Sequence, residues 1–273
     1  MNTAAPLEDS APTQLVDLGR YPILDLDAAA MHDVLRDARA RLRATGACEV
    51  PGFVSPRGLA VLTAEADGLA ARAHRSEGLG TAYLEVPDFS LPEDHPRRFY
   101  GAAAVGVVAY DMFPPDSPLR RLYEWDPFMR FIEAVLQRGM LYRYADPLGA
   151  LNLAVMGAGD ELQWHFDQTD FVVSLAIRDA EKGGDFEVAP HIRSAEDERY
   201  PAVQRVLSGD RTDVVRLPMT PGTLLIFEGR HSLHRVSPIR GGTTRLVALL
   251  AYDTRPGTCS TELLRLARYG RTA

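Results

Sequence analysis

Gln163-Trp164-His165-Phe166-Asp167-Gln168-Thr169-Asp170 is the stretch from which the rest of the chain is read. It follows an apolar, strand-like run, Leu151-Asn152-Leu153-Ala154-Val155-Met156, and a turn, Gly157-Ala158-Gly159-Asp160. In an extended segment side chains two apart share a face. His165 and Asp167 therefore project together, offering an imidazole nitrogen and a carboxylate to one point. The tripeptide alone is not specific, because an ordinary strand with a half-buried histidine meets it equally well.

The context comes later in the chain. Gly222-Thr223-Leu224-Leu225-Ile226-Phe227 reads as a strand opened by glycine, and Glu228-Gly229-Arg230-His231-Ser232 as a turn. Leu233-His234-Arg235-Val236-Ser237-Pro238 then gives a second strand that bears histidine. Arg245 follows eleven residues after His234, at the head of the apolar run Leu246-Val247-Ala248-Leu249-Leu250-Ala251-Tyr252. Two imidazoles and a carboxylate on one face leave three coordination positions open, which suits non-haem Fe(II) better than a closed structural zinc. A planar guanidinium can grip a carboxylate with two bonds, as binding a dicarboxylate requires.

The order HxD, then "HRVSP", then arginine on the following strand resembles the iron(II)/2-oxoglutarate-dependent oxygenases. It is most similar to the bacterial branch of small amino-acid hydroxylases and halogenases related to the lysine halogenases. The resemblance runs from about Leu119 to Gly257 and includes "LYRYADPLGALNLAV", "LQWHFDQTDFVVSLAI", "GGDFEVAPHIRS", "GTLLIFEGRHSLHRVSPI" and "RLVALLAYDTRPG". It implies Fe(II), 2-oxoglutarate and O2 as cofactors, with His165, Asp167 and His234 as metal ligands and Arg245 on the far carboxylate of 2-oxoglutarate. It also implies release of succinate and CO2 as substrate is oxidised. His231 stands beside the second-ligand position, but His234 is the one within "HRVSP", which leaves His231 a substrate-facing role or that of a plain loop residue. Arg240, the rival to Arg245, lies in the turn Ile239-Arg240-Gly241-Gly242, where exposure is the default.

The halogenases that the chain resembles replace the carboxylate ligand by a small residue, freeing a position for chloride. Asp167 would fill that place, so hydroxylation of an unactivated C–H is the first expectation. Desaturation, ring formation and halogenation on the same scaffold are the alternatives. The resemblance points to a small polar substrate, a free amino acid or a derivative. Candidate pocket groups are Asp170, Asn152, Trp164, His231 and Arg98, with Tyr142 and Tyr252 behind them. Trp164 is at odd spacing from His165, which favours a place in the core. Rivals from other classes are a non-catalytic jelly-roll binding protein and a cupin-type hydrolase or isomerase using Zn or Mn. The intact His165, Asp167, His234 and Arg245 set argues against the first, and Arg245 against the second.

The outer bounds agree with one soluble domain. A chain of 273 residues with 46% hydrophobic residues can bury a substantial core. A net charge of −7 argues against a nucleic-acid or anionic-membrane partner. No run of apolar residues is long enough to span a membrane. The N-terminus lacks the basic start and apolar stretch of a signal peptide, and Cys48 and Cys259 read as free, buried thiols, so a cytoplasmic location is expected. A homodimer is left open.

In chain order, residues 1–20 read as a loose tail and 21–273 as a single domain. A helical part is expected over 21–139, a β-helix core over 140–257 and a C-terminal helix over 258–271. Asp25 is expected to cap a helix through Arg43 that closes at Gly46. Cys48-Glu49-Val50-Pro51-Gly52-Phe53-Val54 reads as a short strand leading into a turn, and Ser55-Pro56 opens a second helix to about Ala73. The segment from Ser76 to Met112 has no sustained period and reads as a long irregular connection. Helices Pro118–Tyr123 and Pro127–Gln137 follow, and a short one around Pro201–Leu207. Strands are expected at 141–144, 150–156, 163–166, 171–177, 186–190, 214–217, 223–227, 234–237 and 246–252. The fold class is mainly β with flanking helices, a double-stranded β-helix of jelly-roll, cupin-like form.

Overall fold

The computed structural model describes residues 11–273. The helices, in order, are α1 (Pro12–Leu15), α2 (Ala29–Thr45), α3 (Pro56–Ala70), α4 (Pro118–Glu124), α5 (Asp126–Leu136), α6 (Tyr200–Leu207) and α7 (Glu262–Tyr269). The strands are β1 (Ala47–Val50), β2 (His74–Thr81), β3 (Tyr100–Val108), β4 (Tyr142–Arg143), β5 (Leu151–Met156), β6 (Leu162–His165) and β7 (Val172–Arg178). They continue with β8 (Phe186–Ala189), β9 (Val215–Leu217), β10 (Leu224–Phe227), β11 (Leu233–Val236), β12 (Arg245–Leu250) and β13 (Tyr252–Asp253).

Every strand pairing is antiparallel, in the order β1-β10-β7-β12-β5-β3-β6-β11-β8-β9. β3 bonds along β5 but meets β6 through the single pair Ala103↔Leu162, so the strand set folds over there into two facing layers. The result is a nearly closed barrel with flanking helices, the double-stranded β-helix expected from the sequence.

Alternation along the strands sorts the apolar residues into separate cores. Leu151, Leu153, Val173, Leu175, Leu224, Ile226, Leu246, Ala248 and Leu250 face outward and pack with Leu35, Leu62, Phe128, Phe131 and Ile132 of the helices. Their neighbours Ala154, Met156, Ala176, Leu225 and Phe227 face inward and meet Phe186, Val188 and Val236 of the second layer. Beyond that layer, Trp164, Phe166 and Leu233 pack under Val203, Val206 and Leu207 of α6. A residue's parity on its strand therefore decides whether it lines the barrel or supports it.

Several expectations are corrected. Of the expected tail, residues 1–10 lie outside the described residues, but 11–20 are built into the fold. Leu15 and Val16 are buried, Val16 bridges to Val54, and α1 lies so close to α3 that a Cβ on Gly58 would meet the Leu15 carbonyl oxygen at 2.3 Å. Asp25 does not cap α2; it accepts the Asp27 N–H at 3.1 Å within a turn, and Ala28 precedes the helix without a side-chain cap. Gly46 does close that helix, at φ 64°. The short strand expected from Cys48 is β1, and the 21–139 part departs further from a helical one because β2 and β3 also belong to the barrel. β2 and β3 pair from His74↔Val107 to Thr81↔Tyr100 although their strands carry Gly78, Gly80, Gly101 and three successive alanines. Such residues have little β preference of their own, and the pairing of β2 to β3 and of β3 to β5 and β6 overrides it. Cys48 is buried, which pushes its thiol up to about 11, whereas Cys259 is exposed. No helix among the described residues is long and apolar enough to cross a membrane.

Candidate metal centre

His165 and His234 face each other across β6 and β11 as a registered pair, ring centroids 4.3 Å apart. A register shift between His234 and Val236 makes this possible. Four residues on β6, from Leu162 to His165, span what three residues span on β11, from His234 to Val236, and the extra one turns Trp164 outward while His165 points in. Bulges of this kind re-aim side chains beside functional sites. Asp167 follows the strand end, anchored by its own N–H to the Gly229 carbonyl at 3.0 Å. One donor atom from each of His165, Asp167 and His234 lies within 4.8 Å of the others, a group able to hold a metal ion. His234 Nε2 is 3.3 Å from Asp167 Oδ2, and His165 Nε2 is 3.8 Å from Oδ1.

The backbone fixes which nitrogen faces the centre. His165 Nδ1 lies 2.7 Å from the Gln163 carbonyl and His234 Nδ1 lies 2.9 Å from that of Ser232. A carbonyl only accepts, so Nδ1 carries the hydrogen and Nε2 turns a lone pair inward, as second partners of metal-binding histidines arrange. Phe227 and Phe186 pack against the His234 ring at 4.9 and 5.6 Å. The pKa of His165 is lowered to about 4, first by burial, then by the charge of His234. Asp167 and the Gln163 carbonyl oppose this, and Arg268 adds a further positive charge from the C-terminal helix. Asp167 Oδ2 is buried without a hydrogen-bond partner among the described residues. Two neutral lone pairs and an unpaired carboxylate oxygen converging on one point are donors that a divalent cation satisfies.

Arg245 lies deeper in the barrel, directly across from Met156 on β5. It is 5% exposed, and its one hydrogen-bond contact among the described residues is Nη1 to the Met156 sulfur at 3.7 Å. Burial lowers its pKa to about 10, which Asp179 and Asp185 offset in part from a distance. Gly184, at φ 70°, leaves it room, since a Cβ there would stand 2.9 Å from Arg245 Cδ. A buried guanidinium without a carboxylate partner among the described residues, on the layer that faces the two histidine-bearing strands, fits the anionic end of a small dicarboxylate.

The remaining candidates scatter. Trp164 lies on the outer face of its strand, between the guanidinium groups of Arg211 and Arg235 at 5.0 and 4.9 Å, so it supports the barrel and does not line it. Asn152 faces inward, but its amide donates to the Leu148 and Leu151 carbonyls and its oxygen accepts the Tyr269 hydroxyl at 2.8 Å. That makes it the dock for α7. Asp170 is ion-paired to Arg230 at the rim, with Arg138 at 3.8 Å. His231 is not part of the triad. Its Nδ1 is buried without a partner among the described residues, and burial, then Arg193 and Arg230, lowers its pKa. Arg98 donates to the Leu91 carbonyl at 2.8 Å and covers Phe89, which ties it into its own loop. Tyr252 turns to the helix side and donates to the Tyr123 carbonyl at 3.2 Å, and Tyr142 sits in the separate β4–β13 ribbon.

Four residues escape a reading of motifs. Gly229 is required sterically, because a Cβ there would meet Asp167 Oδ2 at 1.8 Å. Phe186 and Phe227 wall the second histidine, as inward parity on strands 186–190 and 223–227 could have indicated. Tyr269 enters the barrel interior from α7, and its place one residue before a terminal glycine carries no such information.

The barrel is the fold of an oxidoreductase of the 2OG-Fe(II) oxygenase family, and two histidines with one carboxylate form a donor set suited to non-haem Fe(II). Residues 30–262 match the family model described as Halogenase D, and the chain belongs to that family. No match exists among curated proteins. Three solved structures share the fold. An oxidoreductase of the 2OG-Fe(II) oxygenase family from Burkholderia pseudomallei has a TM-score of 0.51 at 17% identity, covering 81% of this chain and 91% of that one. AviO1 from Streptomyces viridochromogenes Tue57 has a TM-score of 0.56 at 18% identity, with coverage of 82% and 96%. The epimerase SnoN in complex with Fe3+, alpha ketoglutarate and nogalamycin RO has a TM-score of 0.56 at 17% identity, with coverage of 84% and 93%.

Proposed function

We propose that the chain is an iron(II)/2-oxoglutarate-dependent hydroxylase of a small polar metabolite, a free amino acid or a derivative of one. The observation that carries this reading is a complete donor set, Asp167 included, above a buried Arg245 that lacks a protein carboxylate. His165, His234 and Asp167 would hold the ion, and Arg245 would pair with the far carboxylate of 2-oxoglutarate. Bound there, Fe(II) with 2-oxoglutarate and dioxygen supplies the oxidising power, while 2-oxoglutarate becomes succinate and CO2. The protein's part is position and dryness. The Gln163 and Ser232 carbonyls fix both imidazoles, the Gly229 carbonyl fixes Asp167, and Phe186 and Phe227 keep water from His234.

The family's description favours a second reading, halogenation. Against it stands Asp167, which takes the position that the resembled halogenases leave to chloride. Gly229, without a side chain, makes room for that carboxylate. The test supplies Fe(II), 2-oxoglutarate, dioxygen and chloride with a panel of free amino acids, and follows succinate and product mass. The proposal expects an oxygen atom that derives from dioxygen and no chlorine in the product. A chlorinated product from the unaltered protein would overturn it.

A further inference from the structure

Phe166 stands between His165 and Asp167, and its ring turns outward where those two side chains turn inward. Whatever grips that ring from outside sets the rotation of the strand end that presents both groups. Arg193 covers it, with the guanidinium carbon 3.9 Å from the Phe166 centroid and 5.3 Å from that of Tyr83. Tyr83 packs against Phe166 in turn, at 5.3 Å, and the Ala82 carbonyl accepts the Phe166 N–H at 2.8 Å.

The same side chain reaches the other half of the site. Arg193 Nε donates to the Arg230 carbonyl at 2.8 Å, one residue past Gly229, whose own carbonyl accepts the Asp167 N–H at 3.0 Å. The Arg193 N–H donates to the His231 carbonyl at 3.4 Å, and Nη1 pairs with Glu198 at 2.9 Å. One guanidinium therefore joins the segment that carries Asp167 to the turn that anchors it. The side chain is 13% exposed, and a cation stacked on an aromatic face out of water is held more firmly than an exposed one. The stretch that carries Arg193 is bent at both ends by left-handed residues, His191 at φ 45° and Arg199 at φ 47°. Neither is a glycine, and ordinary residues keep that conformation where their surroundings impose it, most often beside functional sites.

We propose that Arg193 is a positioning residue for the metal centre. It clamps the Phe166 ring to the turn 228–232, and so holds the Asp167 carboxylate where both imidazoles can share an ion with it. Its effect passes through Asp167, and it touches neither ion nor substrate. The proposal rests on the triad being a metal centre, as the oxygenase reading requires, and is independent of the substrate. Lysine would not serve, because a single ammonium cannot stack on Phe166 and reach the Arg230 carbonyl at once.

The experiment titrates Ni(II) into the metal-free protein by calorimetry, without keto acid or oxygen. Nitrogen and oxygen donors bind Ni(II) more tightly than Fe(II), which keeps weakened variants measurable. Arg193→Met and Arg193→Lys are each made in the unaltered protein and in Asp167→Ala. Unfolding curves show which variants are folded at the titration temperature. In the unaltered background both changes should weaken Ni(II) binding about 10- to 100-fold, as loss of an outer partner of a metal ligand does. In Asp167→Ala, where two imidazoles remain, the same changes should cost less than about 2-fold, because the effect they remove is already gone. A general loosening of the fold would weaken both backgrounds alike. The proposal is overturned if Arg193→Lys binds Ni(II) as the unaltered protein does, or if the loss is equally large without Asp167. Should Arg193→Met not fold, Arg193→Lys, which keeps the charge and most of the volume, decides the matter. A normal titration with no effect at Arg193 sinks this proposal and leaves the oxygenase reading standing. An unaltered protein that takes up no Ni(II) overturns both.

Discussion

Replacing Arg245 by methionine should make the ligand-free protein more stable and deprive it of 2-oxoglutarate. The side chain is 5% exposed and has a thioether as its one hydrogen-bond contact among the described residues, and its pKa is lowered to about 10, chiefly by burial. A shift of that size corresponds to roughly 3 kcal/mol against the charged form. Methionine fills similar length without a charge, so part of that cost is recovered, and we expect a gain of about 1–3 kcal/mol. In a chain of this size that is roughly 2–4 °C of melting temperature per kcal/mol. The assay is thermal or denaturant unfolding with and without 2-oxoglutarate, in the presence of Mn(II) as a stand-in ion. At 100 times its dissociation constant the ligand should add about 2.7 kcal/mol to the unaltered protein and nothing to the variant. A variant that is less stable without ligand, yet still stabilised by 2-oxoglutarate, would refute the reasoning. The guanidinium would then be a structural group and the clamp would lie elsewhere.

Gly229→Ala places a Cβ 1.8 Å from Asp167 Oδ2 and 2.7 Å from its Cγ, so the carboxylate must swing away. We expect metal affinity to fall on the order of 10- to 100-fold, at about 1–3 kcal/mol of stability. Metal titration and unfolding measure the two, and unchanged affinity would show that Asp167 is not a ligand. Glu65 is buried and accepts the Leu119 N–H at 3.0 Å, and burial raises its pKa. A carboxyl raised in the fold contributes stability that is present below its ordinary pKa and lost as pH rises through the folded value. Glu65→Gln removes that loss, so its stability relative to the unaltered protein should grow as pH rises from about 4 through the raised value, by on the order of 1 kcal/mol. Denaturant midpoints across that range check it, and a flat difference would count against the burial account.

The strands of the barrel were legible because their inward and outward residues alternate, as in Leu224 through Phe227 and Leu246 through Leu250. β2 and β3 were not, since Gly78, Gly80, Gly101 and the alanines after it carry no period, and only the pairing of β2 to β3 and of β3 to β5 and β6 makes them strands. Of the site, His165, Asp167 and His234 come together as their motif spacing led one to expect, and Arg245 turns inward by its parity. Trp164 was separable from His165 by spacing alone, but the bulge that sends Leu162 and His165 to one face was not, because an extra residue in a strand leaves no compositional trace. Asn152 was the expectation furthest from the outcome. Its inward direction was readable, whereas the hydrogen bonds that consume its amide come from Leu148, only four residues before it, and Tyr269, more than a hundred residues on. Gly229 was missed for a similar reason, since it matters only through Asp167, distant in sequence.

The most direct measurement is an anaerobic titration of the folded protein with Fe(II) and 2-oxoglutarate, watching for the weak visible charge-transfer band of an iron-bound keto acid. The account predicts that the band forms in the unaltered protein and is lost in His234→Ala and in Arg245→Ala. A folded protein that binds neither the metal nor the keto acid would contradict it, and the barrel would then be a binding scaffold.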